Sequence, residues 1–518
     1  MNRAPFFDHP VFKKKGIDEL MEQSKGDHSL KRTLKTFDLV MLGIGGVIGM
    51  GIFVLSGVVA GLHAGNAMPV SFLIAGVACM IAALCYAEFA TLIPVAGSAY
   101  TYCYVTLGEI WAWIIGWDLI LEYGLAVSAV AIGWSGYMNA LLASLGLVLP
   151  PALVHPLGIA GGIVNLPAII IIACLSLLLI RGTKTSARTN AIIVGIKIAV
   201  ILLFVVLGAF AINPANWTPF MPPAGWLGIF SGAAIIFFAF CGFDAVVTAA
   251  EETKDPQKSL PRGLIGSLAI CIVLYIILGI VLTGVVPFSE FAGAEAISAP
   301  IPYALQSMGV TWGVMIVSVG ALCGMTSVIL VMLFGQSRIF FAMSRDGLLP
   351  GIFSQVNKKT ETPSNVILIT GFFTAIIAGF FPLQIVAELV NMGTLAAFAI
   401  VAAGLLILRA REPDLPRTFR CPWVPFLPLA CIGICTFLIF NLNHLAHAMF
   451  VFWLCIGLVV YFIYGMNHSG NRKADGLPLC ETVPRSLPGP EFISPDPHQA
   501  LLVTEREAWQ GLDRPREQ

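Results

Sequence analysis

Charge is what this sequence has least of. Only 11% of its 518 residues are Asp, Glu, Lys or Arg, against about 25% in an ordinary soluble domain. With 58% hydrophobic residues, the chain carries too little polar surface to be a soluble protein of this length. Its 29 basic and 29 acidic residues balance to zero formal charge, so no bulk field directs it to nucleic acid. The twelve cysteines form no CxxC pair and fall mostly within apolar runs, where they read as small core residues. No apolar h-region with a small-residue cleavage site precedes residue 35, so no signal peptide is expected. A convergent Ser/His/Asp set is lacking too, and an enzyme is not expected. His444 and His447 in NHLAHAMF have metal-ligand spacing, but their sequence neighbourhood at a helix end holds no carboxylate or cysteine. No metal and no cofactor are expected.

What the chain does have is repeated apolar runs of 20 or more residues, each long enough to cross a bilayer as a helix. The reading is an all-α polytopic membrane protein. Twelve spans are predicted, at about 36–62, 68–93, 110–142, 161–180, 189–212, 226–251, 263–286, 312–341, 364–381, 383–408, 423–441 and 445–466. A tight turn at Asn66 to Pro69 joins the first two. Of the 29 lysines and arginines, all but Lys197 fall in tails, loops or helix ends on one side of that alternation. Positive residues concentrate on the cytoplasmic side, so both termini are expected there, in a multi-pass protein of the plasma (inner) membrane. The tail 467–518 is polar and reads as disordered, and the tail 1–35 as charged and partly amphipathic. The basic loop 409–422, with Arg409, Arg411, Arg417 and Arg420, reads as a topology signal facing anionic lipid. Glu88, Glu109, Glu251 and Glu252 lie near the inside face and read as solvated helix ends. Asn216 to Thr218 spells a glycosylation sequon.

Two stretches break the helical pattern. Gly43 to Phe53 reads GIGGVIGMGIF, and each glycine weakens a helix interior by roughly 1 kcal/mol relative to alanine. Irregular backbone at membrane depth is tolerated only where it is buried in protein or lines a cavity, so this stretch points to a binding site. The GxG repetition has no preceding strand and does not fit a dinucleotide fingerprint. Span 6 has a second break at Cys241, Gly242 and Phe243, before Asp244. Five charged residues fall well inside spans: Asp118, Glu122, Lys197, Asp244 and Glu388. A charge at a helix centre costs roughly 2.5 to 3.5 kcal/mol on the insertion scale and normally faces the bundle interior or a wet cavity. Lys197 lies about 10 Å from the nearer helix end at the standard rise, far for snorkelling.

Four stretches resemble the amino acid-polyamine-organocation (APC) superfamily, in particular its cationic amino acid transporter-like branch. They are GIGGVIGMGIFVLSG (43–57), YAEFATLIPVAGSAYTYCYVTLGEIWAWIIGWDLILEY (86–123), FFAFCGFDAVVTAAEETKDPQKSLPRG (237–263) and GQSRIFFAMSRDGLLP (335–350). The resemblance implies a LeuT-type fold: a core at 36–408 made of inverted repeats at about 36–212 and 226–408, with spans 1 and 6 unwound and two further helices at 409–466. It implies a substrate carboxylate held by backbone N–H groups around Ile48, Gly49, Met50 and Gly51 at a helix N-terminus. The substrate amino group would meet carbonyls near Phe240, Cys241 and Phe243, with Asp244 and Glu122 adjacent. Where Met50 stands, family members often carry a small hydroxyl residue. Lys197 resembles a span 5 lysine whose ammonium replaces sodium, so coupling is expected to protons, through Lys197, Glu122 and Asp244. The expected function is a sodium-independent, proton-coupled permease working by alternating access on cationic or small neutral L-amino acids. Met325 to Ile329 on span 8 include no carboxylate for a cationic side chain. An exchanger and a non-transporting sensor of the same fold are the alternatives. The partners are an L-amino acid, protons and membrane lipid, without nucleic acid; a small membrane subunit is left unassigned.

Overall fold

The computed structural model describes residues 14–16, 33–94, 98–181, 187–355 and 362–469. The rest of the expected N-terminal tail and the expected disordered tail beyond 469 lie outside them. All the described residues belong to one compact unit, Met1–Leu477. Inside a bilayer a backbone N–H or C=O must be paired within the protein, and a helix pairs them within its own segment. Among the described residues β-pairing is limited to isolated bridges such as Leu34 with Thr253.

Seven stretches are long and apolar enough to cross a membrane: Gly51–Leu92, Glu109–Ser144, Thr189–Ala209, Pro256–Val285, Thr311–Arg345, Leu383–Arg411 and His444–His468. Five shorter apolar helices stand between or beside them, at Thr36–Val47, Leu166–Ile180, Gly225–Phe240, Ser364–Phe380 and Phe426–Phe440. The chain is an integral membrane protein.

The first helix, α1 (Thr36–Val47), stops at Ile48, whose backbone is extended (φ −73°, ψ 97°). A π-type turn at Gly51–Leu55, a short α2 (Ser56–Val59) and a second π-type turn at Ala60–Ala64 carry the chain on to α3 (Met68–Leu92). After α4 (Ser98–Thr106) come α5 (Glu109–Ser144), α6 (Leu166–Ile180) and α7 (Ala187–Ala209). The next helix is interrupted again: α8 (Gly225–Ile236) tightens into a 3-10 turn at Phe237–Phe240, and α9 (Ala245–Thr248) resumes after the break. Then α10 (Pro256–Val285), α11 (Ala294–Ser298), α12 (Pro300–Ser307) and α13 (Thr311–Arg345) follow. The last helices are α14 (Ser364–Phe380), α15 (Leu383–Arg411), α16 (Phe426–Phe440), α17 (His444–Val460) and α18 (Met466–His468).

Helices α4, α11 and α12 were not anticipated, because each is too short to register as a span. The expected fourth span starts later than 161, at Leu166, because Asn165 caps it by accepting from the Ala168 N–H. Packing is organised by long pairs: α5 runs along α13, α3 along α10, and α14 along α6. Large apolar side chains on α17, such as Val451, Phe452 and Val459, face outward, as a lipid-facing surface requires.

All five charges inside the predicted spans are buried: Lys197 is 0% exposed, Asp118 2%, Glu388 3%, Asp244 7% and Glu122 8%. Two expectations about the inside face are corrected. Glu88 and Glu109 are not solvated helix ends, being 0% and 2% exposed. Glu88 accepts from Arg409 (Nε 3.0 Å, Nη2 2.5 Å), from Arg417 Nε (3.1 Å) and from the Cys421 N–H (2.7 Å). Glu109 accepts from the hydroxyls of Tyr104, Tyr461 and Ser469. Arg409 and Arg417 therefore clamp a protein carboxylate rather than facing lipid; a buried charge retains a partner because its desolvation is otherwise uncompensated. The sequon residue Asn216 spends its side-chain N–H groups on the carbonyls of Gly284 (2.9 Å) and Val285 (3.2 Å).

Candidate functional site

Both breaks meet in the middle of the bundle. Gly46 and Gly242 lie against each other: a Cβ on Gly46 would stand 2.7 Å from the Gly242 carbonyl oxygen, and one on Gly242 would stand 2.8 Å from that of Gly46. Gly242 also has φ +100°, in the region only glycine occupies without strain. Gly51 packs so tightly on Ala239 that a Cβ there would overlap the Ala239 backbone. The glycine density therefore serves a close crossing of two interrupted helices.

Interrupting a helix frees carbonyls that need donors. Lys197 on α7 donates from Nζ to the Gly45 carbonyl at 2.8 Å, in the last turn of α1. Its aliphatic stem lies over Gly324 of α13, where a Cβ would meet it at 2.9 Å. On α10, the Tyr275 hydroxyl lies 3.0 Å from the Val47 carbonyl oxygen and 3.1 Å from that of Ala239. One side chain thus serves both breaks. Asn391 on α15 donates to the carbonyls of Ala234 (2.9 Å) and Ile235 (2.8 Å), just before the second break. Tyr137 on α5 donates to the Phe53 carbonyl at 2.7 Å. Tyr275, Asn391 and Tyr137 escaped sequence reading. Each is one uncharged polar group among several in its span, and without the partner's position nothing set it apart.

A cavity of about 20 Å³ lies between the breaks, room for about one water molecule. Gly49, Met50, Gly51 and Cys241 line it, as do Gly46 and Val47; Ala126 and Val130 of α5, Phe238, and Val328 and Met332 of α13 complete the wall. Among the described residues no charged side chain lines it. Met50 fits because Gly133 of α5 leaves room: a Cβ there would stand 2.6 Å from Met50 Cγ.

The other residues singled out from sequence lie around this wall. Ile48, Phe240 and Phe243 are fully buried. Asp244 accepts from the Tyr123 hydroxyl at 3.2 Å, and Glu122 lies within electrostatic range of Asp244 and Asp118. The Cys241 thiol faces the Thr394 hydroxyl at 3.5 Å. Asp118 Oδ1 is buried without a hydrogen-bond partner among the described residues. Glu388 stands apart, beside a second and more polar cavity that also holds His63 and His444. A carboxylate does therefore lie near the histidine pair, brought by α15 from more than fifty residues away in sequence.

Two interrupted helices thus face each other around a buried cavity inside an integral membrane protein. Residues 34–463 match the amino acid permease family model, and the chain belongs to that family, within the APC superfamily. It is 50% identical over 447 residues to the branched-chain amino acid permease BcaP of Bacillus subtilis, covering 86% of this chain and 95% of that one. To the methylthioribose transporter of the same organism it is 48% identical over 445 residues, with 86% and 95% covered. To the vacuolar cationic amino acid transporter 4 of Arabidopsis thaliana it is 37% identical over 411 residues, with 78% and 68% covered.

Proposed function

We propose that this protein is a sodium-independent, proton-coupled permease for neutral amino acids with apolar side chains, of the leucine, isoleucine and valine type. The observation that carries the reading is the wall of the central cavity. Backbone groups of Gly49 to Gly51 open a helical segment at one side, where N–H groups and partial positive charge suit a carboxylate. Carbonyls around Phe240 and Cys241 close one at the other side, where they suit an ammonium. Between them the side chains are Val47, Met50, Ala126, Val130, Phe238, Val328 and Met332. A lysine or arginine side chain would find no carboxylate there, and an unpaired buried cation is costly. This favours the neutral half of the expected substrate range over the cationic half, and the similarity to a branched-chain amino acid permease supports the same choice.

The LeuT-type arrangement is part of this reading, with twelve spans, a core at 36–408 in repeats at about 36–212 and 226–408, and an added pair at 409–466. Its support is the pairing pattern. Elements five spans apart pack on each other: α3 with α10, α5 with α13, α6 with α14, and the two breaks with each other. Inverted repeats related by a two-fold axis pair in this way. Admission of an amino acid to so small a cavity requires the surrounding helices to part, as alternating access does. Lys197 occupies a freed carbonyl where a metal cation would otherwise be attracted, and Lys197, Glu122 and Asp244 carry the proton coupling. Both termini lie in the cytoplasm and the membrane is the plasma (inner) membrane.

Reconstitution tests the proposal. Leucine, isoleucine and valine uptake into proteoliposomes should survive replacement of sodium and collapse with a protonophore; Lys197→Ala should fold but lose the response to a proton gradient. Uptake of lysine and arginine with no uptake of leucine refutes the substrate assignment. Insensitivity to the protonophore refutes proton coupling and favours exchange, and binding without counterflow favours a sensor. Methylthioribose belongs in the same panel, because a relative at 48% identity is a methylthioribose transporter; its uptake in place of leucine would move the substrate to an uncharged thioether sugar.

A further inference from the structure

The second cavity, of about 280 Å³, lies between the Ala60–Ala64 turn, α8, the start of α15 and the α16–α17 turn, far larger than the central one and near the roughly 300 Å³ lower bound of small-ligand sites. Its wall is polar. Glu388 is 3% exposed and accepts from neutral donors, Gln384 Nε2 at 3.0 Å and the Asn443 backbone N–H. Among the described residues it forms no ion pair with lysine or arginine, although His447 lies nearby. Across the cavity, His63 Nδ1 bonds the Ser231 hydroxyl at 2.6 Å, which leaves its buried Nε2 without a partner among the described residues. A buried carboxylate and an unpartnered imidazole nitrogen share one chamber. No group of three His, Cys, Asp or Glu side chains that would hold a metal occurs among the described residues, so the arrangement suits an organic cation rather than a metal ion.

We infer that this chamber is a second ligand site, for a small primary ammonium that also bears a hydrogen-bonding group: the ammonium meets Glu388 and the second group meets His63. It goes beyond the permease reading and does not depend on it, since the chamber shares no wall residue with the central cavity. Its occupant would touch α8 and the turn after α2, which lead into the two breaks, together with the α16–α17 turn. Occupancy therefore tethers the broken helices to the α16–α17 pair.

The test is a thermal-shift titration of the full-length protein in detergent with ethanolamine, because a ligand that binds the folded state raises the melting temperature saturably. Tetramethylammonium, which has no N–H donor, should give no saturable shift. Glu388→Gln should remove the ethanolamine shift while eluting as a monodisperse peak. If that variant fails to fold, His63→Phe removes the imidazole nitrogen that meets the second group and should remove the shift equally. The inference is overturned by no saturable shift in the parent protein, by a shift retained in either folded variant, or by competition from leucine, which would place the amine in the central cavity. An amine-headgroup lipid offers the same chemistry. Phosphatidylcholine nanodiscs with and without phosphatidylethanolamine separate the sources: a shift abolished only by phosphatidylethanolamine assigns the chamber to the headgroup, and one that persists assigns it to a soluble amine.

Discussion

Removing the Glu88 carboxylate should destabilise this protein more than removing any charge on its surface. Glu88 lies in the last turn of α3, where the helix dipole disfavours a negative charge, so its burial depends on the donors around it. Four N–H groups converge on it, three from Arg409 and Arg417 and one from the Cys421 backbone, at 2.5 to 3.1 Å. In Glu88→Ala, Arg417 keeps its bonds to the carbonyls of Glu412, Pro413 and Leu415, and Arg409 keeps one to Cys421. Their charges nevertheless lose their counter-ion, and breaking a buried pair from one side costs about 3 to 5 kcal/mol. Replacing the cluster together, as Glu88→Leu with Arg409→Met and Arg417→Met, should cost less than Glu88→Leu alone, because no uncompensated charge remains. Detergent unfolding followed by tryptophan fluorescence measures both. A Glu88→Ala variant within about 1 kcal/mol of the parent would behave like an exposed ion pair and refute the argument that this cluster locks the 409–422 loop to the bundle.

Tyr275→Phe should cost about 1 to 3 kcal/mol, the penalty for leaving buried acceptors unmet, and should lower substrate affinity through both breaks at once; an unchanged melting temperature and affinity would show that water replaces the hydroxyl. Glycine to alanine inside a helix usually stabilises by about 1 kcal/mol. Gly51→Ala should do the opposite, since the new methyl group meets the Ala239 backbone, and a melting temperature at or above that of the parent would mean that the two breaks can move apart at no cost.

The class, the long apolar helices and both breaks were legible in the sequence because each is written locally. A bilayer demands about twenty apolar residues in a row, and glycines clustered inside such a run have a cost that only a special backbone explains. Gly46, Gly51 and Gly242 could thus be marked before their contacts were known. The buried state of Lys197 and Glu122 was legible for the same reason, as charges that have no place in lipid.

Which groups meet was decided by tertiary structure alone. Glu88 and Arg409 are 321 positions apart, and in sequence each resembles an ordinary charge at a membrane interface. Tyr275 is one apolar-run tyrosine among several until α10 carries its hydroxyl to two carbonyls from different helices. Glu388 gained its histidine neighbours only when α15 packed beside the α16–α17 turn. Local sequence determined where the helices run and where they break, because hydration and backbone pairing act over a few residues. Packing decided the partners of each freed carbonyl and buried charge, because a contact between distant segments has no local signature.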